Sequence, residues 1–150
     1  MSKPKPHLYI MKQNIKIVEK LFAAWNSHNP QEVLKCYHED FRREDVSNHF
    51  AYGKQTLLKV VESYLHAFPD VSFHIDEVVD KDGRIVVCWT ASGYHRGKIM
   101  NIPATGKYIS FKGVSILHIE DELIMNVWYL WDEAGMLRQM GLLPELQHTA

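Results

Sequence analysis

Tyr129, His95, Ser115 and Asp132 are the side chains of this sequence whose types and places suit chemistry. Tyr129 stands in Val127-Trp128-Tyr129-Leu130-Trp131. Alternate residues of an extended chain share a side, so its phenol keeps company with Val127 and Trp131. A phenol with an ordinary pKa of about 10 is protonated at neutral pH. It can hold a carbonyl or enol oxygen and act as an acid, but it is a poor base. His95 lies in Gly93-Tyr94-His95-Arg96-Gly97. Its imidazole titrates near neutral pH and suits proton transfer at a cavity mouth; a structural histidine bonded to loop carbonyls is the other reading. Ser115 offers a hydroxyl without a neighbouring base, which suits contact with a ligand rather than nucleophilic attack. Asp132 could touch a ligand or cap a helix starting at Glu133, and the sequence favours the cap. Trp89 and Trp131 are expected as apolar cavity walls that would hold a substrate skeleton.

These side chains need elements to hold them. Ile15, Val18, Leu21, Phe22 and Trp25 recur at helical spacing and give one apolar stripe. Asn29, Pro30 and Glu32 mark the start of a short second helix. Leu57, Val61, Tyr64, Leu65 and Phe68 form the stripe of a third, which Pro69 stops. The period then changes to two. Val71, Phe73 and Ile75 alternate with polar residues, and Asp80-Lys81-Asp82-Gly83 turns the chain back as a hairpin. Strands are expected over 84–96, 108–120 and 123–132, with a loop over 97–106 and a last helix carrying Met136, Leu137 and Met140. Segment 39–52 reads as a short strand and an irregular loop. Its mixed residues, Arg42, Arg43, Glu44, Asp45, His49 and Tyr52, read as an exposed, self-paired loop, with a charged lid or a proton-transfer group as the other readings.

Three helices followed by an antiparallel meander make an α+β domain, here a single one over 10–144 between an arm (1–9) and a tail (145–150). In the last two strands Phe111, Ser115 and Leu117 share one side and Val114 and Ile116 the other, while Val127, Tyr129 and Trp131 oppose Trp128 and Leu130. Both faces are apolar. One meets the helices around a cavity; the other needs a cover, which predicts a homodimer through the outer sheet face, extra core from the terminal segments being the alternative cover.

Composition narrows the function classes. The net charge is −1, with no basic stripe, so neither nucleic acid nor an anionic membrane is an expected partner. Neither a signal peptide nor a bilayer-spanning run is seen, and Cys36 and Cys88 read as reduced thiols, so a cytoplasmic protein is expected. The histidines lack metal-ligand spacing and no glycine-rich phosphate cradle follows a strand, so neither metal nor cofactor is expected.

Phe68-Pro69-Asp70, Trp89-Thr90, Gly93 through Gly97, Ile102-Pro103-Ala104-Thr105-Gly106, Trp128 through Asp132 and Leu137-Arg138-Gln139-Met140-Gly141 resemble the SnoaL-like polyketide cyclase (ester cyclase) family, of the superfamily named after nuclear transport factor two. The resemblance runs from about Ile15 to Pro144. It implies a cone-shaped α+β barrel, helices closing a curved antiparallel sheet over a deep apolar pocket. It also implies cofactor-free aldol chemistry by a pocket aspartate with a histidine assisting. Here the aspartate's slot holds Tyr129 and the histidine's slot holds Ser115. His95 and Asp132 keep the residues the family has at those places. The expectation is a small-molecule enzyme of isomerase, cyclase or lyase type acting on an apolar carbonyl or polyketide-like compound, with Tyr129 and His95 catalytic and Trp89, Ser115, Val127, Trp131 and Asp132 binding substrate. The alternatives are a non-catalytic binder of a small hydrophobic ligand and a dimeric interaction module with a vestigial cavity.

Overall fold

Helical and extended periodicity alternate along the chain as α1 (His7–Asn26), α2 (Pro30–Leu34), β1 (Tyr37–Glu44), α3 (Lys54–Ala67), β2 (Ser72–Lys81), β3 (Arg84–Tyr94), β4 (Tyr108–Glu120), β5 (Leu123–Trp131) and α4 (Glu133–Met140). The structure is a computed structural model, and it describes residues 7–44 and 52–147. The helix ends follow from local chemistry. Asn29 caps α2 by accepting from the Gln31 amide at 3.0 Å, with Pro30 at the first turn, where its missing N–H costs nothing. Asp132 caps α4 by accepting from the Gly135 amide at 2.8 Å. Gly141 ends α4 in the left-handed conformation, φ 84°, that glycine adopts most readily. Helix α1 starts at His7, so helical backbone reaches into the segment read as an arm.

The sheet order is β1-β5-β4-β3-β2. Strands β2 to β5 form the antiparallel meander read from the sequence. The tip of the first hairpin, Asp82 and Gly83, has φ of 54° and 79°. That pair of positive angles matches the right-handed twist of the strands it joins. The sequence reading lacked one feature: β1 adds to the β5 edge in parallel, so the sheet is mixed. The α+β architecture stands, with α1, α2 and α3 as its N-terminal helices.

Period two sends Ile85, Val87, Trp89 and Ala91 of β3 to the helix side, with Ile109, Phe111 and Leu117 of β4 and Val127 of β5. They meet Val18, Leu21 and Phe22 of α1 and Leu57, Val61 and Leu65 of α3 in one core. Each such large side chain, fully buried, contributes about 1.5–3 kcal/mol. Polar clasps fix α1 on the edge strand. The Asn26 side chain donates to the Phe73 carbonyl at 2.9 Å and accepts from the Phe73 amide at 2.7 Å. Asn14 donates to the Asp80 carboxylate at 2.8 Å. So α1 and α3 lie across one face of the sheet and leave space beneath them.

Candidate functional site

That space is an apolar cavity of about 120 Å³. Leu21, Phe22 and Trp25 of α1 and Leu57, Val60 and Tyr64 of α3 close it from above. The sheet supplies Tyr37 and Arg43, Phe73, Trp89, Phe111, Ser115, Leu117, Val127, Tyr129 and Trp131, and Tyr52 comes from the turn before α3. Aromatic rings pack edge to face or tilted around it. Phe111 and Trp131 have centroids 5.0 Å apart, Phe73 and Trp89 5.7 Å, and Tyr64 meets Trp131 at 6.3 Å. Such edge and tilted contacts suit the ring quadrupoles and stiffen the wall.

Of the residues expected from the sequence, Trp89, Ser115, Val127, Tyr129 and Trp131 line the cavity together. The β4–β5 register explains it: Ser115 pairs Tyr129, Gly113 pairs Trp131 and Leu117 pairs Val127, all on the inner face. His95 and Asp132 are not among the lining residues. Asp132 is occupied as the cap of α4. His95 is fully buried just past the end of β3, with its ring 5.3 Å from that of Phe68. Its Nδ1 lies 3.0 Å from Thr105 Oγ1 and 3.3 Å from the Thr105 amide. Burial holds the imidazole below its ordinary value, with the Gly97 backbone opposing in part. The histidine therefore fastens the loop after β3 and does not face Tyr129 across the cavity.

Two lining residues have a polarity the sequence reading assigned to the surface. Arg43 and Tyr52 are both buried. Their backbones form an antiparallel bridge, with each amide donating to the other's carbonyl at 3.0 and 3.3 Å. Arg43 Nη1 donates to the Tyr52 hydroxyl at 2.7 Å. The guanidinium carbon also lies 3.7 Å from the centre of the Tyr129 ring. The available signal was the odd-numbered spacing of Tyr37, Phe41 and Arg43, which puts the arginine on the apolar side of its strand. Arg42, one residue back, is exposed as expected. Asp45 and His49 of the same group lie outside the described residues.

Burial, first of all, raises the Tyr129 phenol well above its ordinary value; Tyr52, electrostatically and by a side-chain hydrogen bond, and Tyr64 add to the shift, and Arg43 opposes it. The phenol is thus held protonated, as a donor rather than a base. Among the described residues, those at the wall that carry polar groups are Arg43 with its guanidinium, Tyr37, Tyr52, Tyr64 and Tyr129 with phenols, Ser115 with a hydroxyl, and Trp25, Trp89 and Trp131 with indole N–H groups. Carboxylates and imidazoles are absent from the lining among the described residues. Among the described residues no three His, Cys, Asp or Glu side chains gather so as to hold a metal ion. No helix among them is long and apolar enough to cross a membrane.

Solved structures share this fold. TsrD from Streptomyces laurentii superposes with a TM-score of 0.79 at 27% identity, covering 88% of this chain and 97% of that one. AclR from Streptomyces galilaeus superposes with a TM-score of 0.82 at 21% identity, covering 91% and 85%. IdmH from Streptomyces antibioticus gives 0.74 at 19% identity, covering 84% and 96%. No curated protein matches the chain. Residues 15–140 match the family described as SnoaL-like polyketide cyclase, and with most of its length covered the chain belongs to that family.

Proposed function

We propose that the protein is a cofactor-independent enzyme that binds an apolar carbonyl or polyketide-like compound in this cavity. Its chemistry is of isomerase, cyclase or lyase type, with a hydrogen-bond donor stabilising charge on the substrate oxygen. One observation carries the reading: a protonated phenol, Tyr129, faces an aromatic cavity with its ring beneath a guanidinium. Such a donor can hold a ligand oxygen and stabilise negative charge growing on it, in a site with little water to compete. Ser115, on the partner strand of the same rung, is the second polar contact, and Trp89, Val127 and Trp131 hold the skeleton. His95 and Asp132 we assign to the loop and to α4 rather than to the substrate.

Among the described residues the lining holds neither a carboxylate nor an imidazole, which favours a second reading, a binding protein that leaves its small hydrophobic ligand unchanged. The two separate in one experiment. The protein is incubated with a panel of aromatic β-diketones, and the products are followed by mass spectrometry, with Tyr129→Phe alongside. Enzyme chemistry predicts a product that Tyr129→Phe diminishes at least tenfold, the loss of one oxyanion donor usually costing more still, roughly 100- to 1000-fold. Tight binding without product selects the binder, and neither binding nor product sinks both.

We further propose that two copies associate through the outer sheet face, where Val114, Ile116, Trp128 and Leu130 lie opposite the cavity. Leu130 is 57% exposed in the single chain. Unpaired Cys36 and Cys88 suit a reducing compartment, and we place the protein in the cytoplasm.

A further inference from the structure

The Trp89 indole Nε1 donates to Ser115 Oγ at 2.9 Å. An indole N–H can only donate, so the serine oxygen is the acceptor and its own hydrogen points elsewhere. No acceptor for that hydrogen occurs among the described residues. Ser115 lines the cavity and pairs Tyr129 across the strands, so the hydrogen is free to meet a ligand beside the phenol.

Gly113 makes the contact possible. It is the residue opposite Trp89 in the β3–β4 register, whereas Ser115 is the diagonal neighbour. A Cβ at 113 would fall 2.2 Å from Trp89 Cζ2 and 2.6 Å from Cε2. Without a side chain there, the indole lies over Gly113 and reaches the next inward residue, a diagonal span within reach of aromatic and other long side chains.

We propose that Trp89 is a positioning residue that turns the Ser115 hydroxyl into a hydrogen-bond donor, so that the cavity selects ligands presenting a carbonyl oxygen at the Ser115–Tyr129 rung. A carbonyl oxygen satisfies a buried donor and brings no hydrogen of its own that would need a partner. The inference rests on the reading that the cavity holds a small molecule.

The test compares acetophenone with α-methylstyrene, which has the same shape with a CH2 in place of the oxygen. Both are titrated into the full chain and followed by NMR, including the indole N–H signals. The quantity read is the ratio of the two affinities. Ser115→Ala should shift that ratio about fivefold toward the hydrocarbon, the size of one neutral hydrogen bond. Trp89→Phe should shift it in the same direction, the double variant should add little to either, and Ser115→Thr, which keeps a hydroxyl, should restore it. The Trp89 indole proton should move upfield in Ser115→Ala as its acceptor is lost. If Trp89→Phe does not fold, that signal and the Ser115 pair decide the matter. A ratio indifferent to Ser115→Ala, or an indole signal that stays in place, overturns the inference and leaves the cavity reading intact. If neither compound binds the unaltered protein, the cavity reading fails and takes this one with it.

Discussion

The guanidinium carbon of Arg43 sits 3.7 Å above the centre of the Tyr129 ring, the two residues coming from neighbouring, parallel strands. A cation over a partly desolvated aromatic face is worth about 1–2 kcal/mol. The same guanidinium holds the Tyr52 hydroxyl, a charge-assisted bond worth roughly 1.5–3 kcal/mol. Arg43→Leu removes both, and urea unfolding should show a loss of about 2.5–5 kcal/mol. Arg43→Lys keeps the charge without the planar fork and should fall between the two. A Leu variant as stable as the parent would show that neither contact matters to the fold.

His95 gives the protein an acid-sensitive joint. Its native pKa lies below the ordinary value of about 6.5 because burial disfavours the imidazolium. Between the two values the unfolded chain binds more protons than the native one, so stability rises with pH there. The contribution is complete above the unfolded value and is lost as pH falls through and below it, toward the native one. Melting temperature should therefore drop from pH 8 to pH 5 more steeply in the parent than in His95→Gln, the remaining histidines being common to both. Parallel slopes would mean that the imidazole is already solvated.

How far the sequence revealed this arrangement depends on the distance over which each residue is fixed. Ser115 and Tyr129 were legible because their faces follow from period two within strands joined by a tight turn, Asp121 and Glu122, at φ of 49° and 63°. Arg43 was not. Its register against β5 shifts between Tyr37 and Arg42, which leaves only the short run from Phe41 to Arg43 in step and makes the odd-numbered spacing a weak signal, and its partner strand lies some eighty residues away in sequence. A charged residue in such a segment reads as surface until that pairing is known. His95 was placed correctly at a strand end. Which way its ring turns is set by Phe68 at the end of α3, a contact that no local pattern announces.

Gly97 is where the loop after β3 meets α3. The amides of Arg96 and Gly97 both donate to the Ala67 carbonyl, at 2.9 and 3.1 Å. A Cβ on Gly97 would fall 2.2 Å from the His66 carbonyl oxygen and 2.8 Å from its carbon, both backbone atoms that cannot swing aside. Gly97→Ala must push the loop off the helix. A loss of about 1–3 kcal/mol is expected, in the range of other overpacked sites. Hydrogen exchange at Arg96 and Gly97 should quicken more than at β3 residues such as Val87. Unchanged protection at those two amides would contradict the close packing.

The outer sheet face carries the last expectation. Val114 pairs Leu130 and Ile116 pairs Trp128, so four apolar side chains adjoin on the side away from the helices. Leu130 is 57% exposed and Val79, on the β2 edge, 49%. A second copy would remove this patch from water, and a charge placed at its centre would have to be buried unpaired, at a cost of several kcal/mol. Leu130→Lys should therefore shift the sedimentation coefficient from that of a dimer to that of a monomer. Because Leu130 points away from Tyr129, ligand affinity in the cavity should hold. A parent chain that sediments as a monomer at every concentration would remove the dimer, while an unchanged dimer in Leu130→Lys would move the interface to another surface.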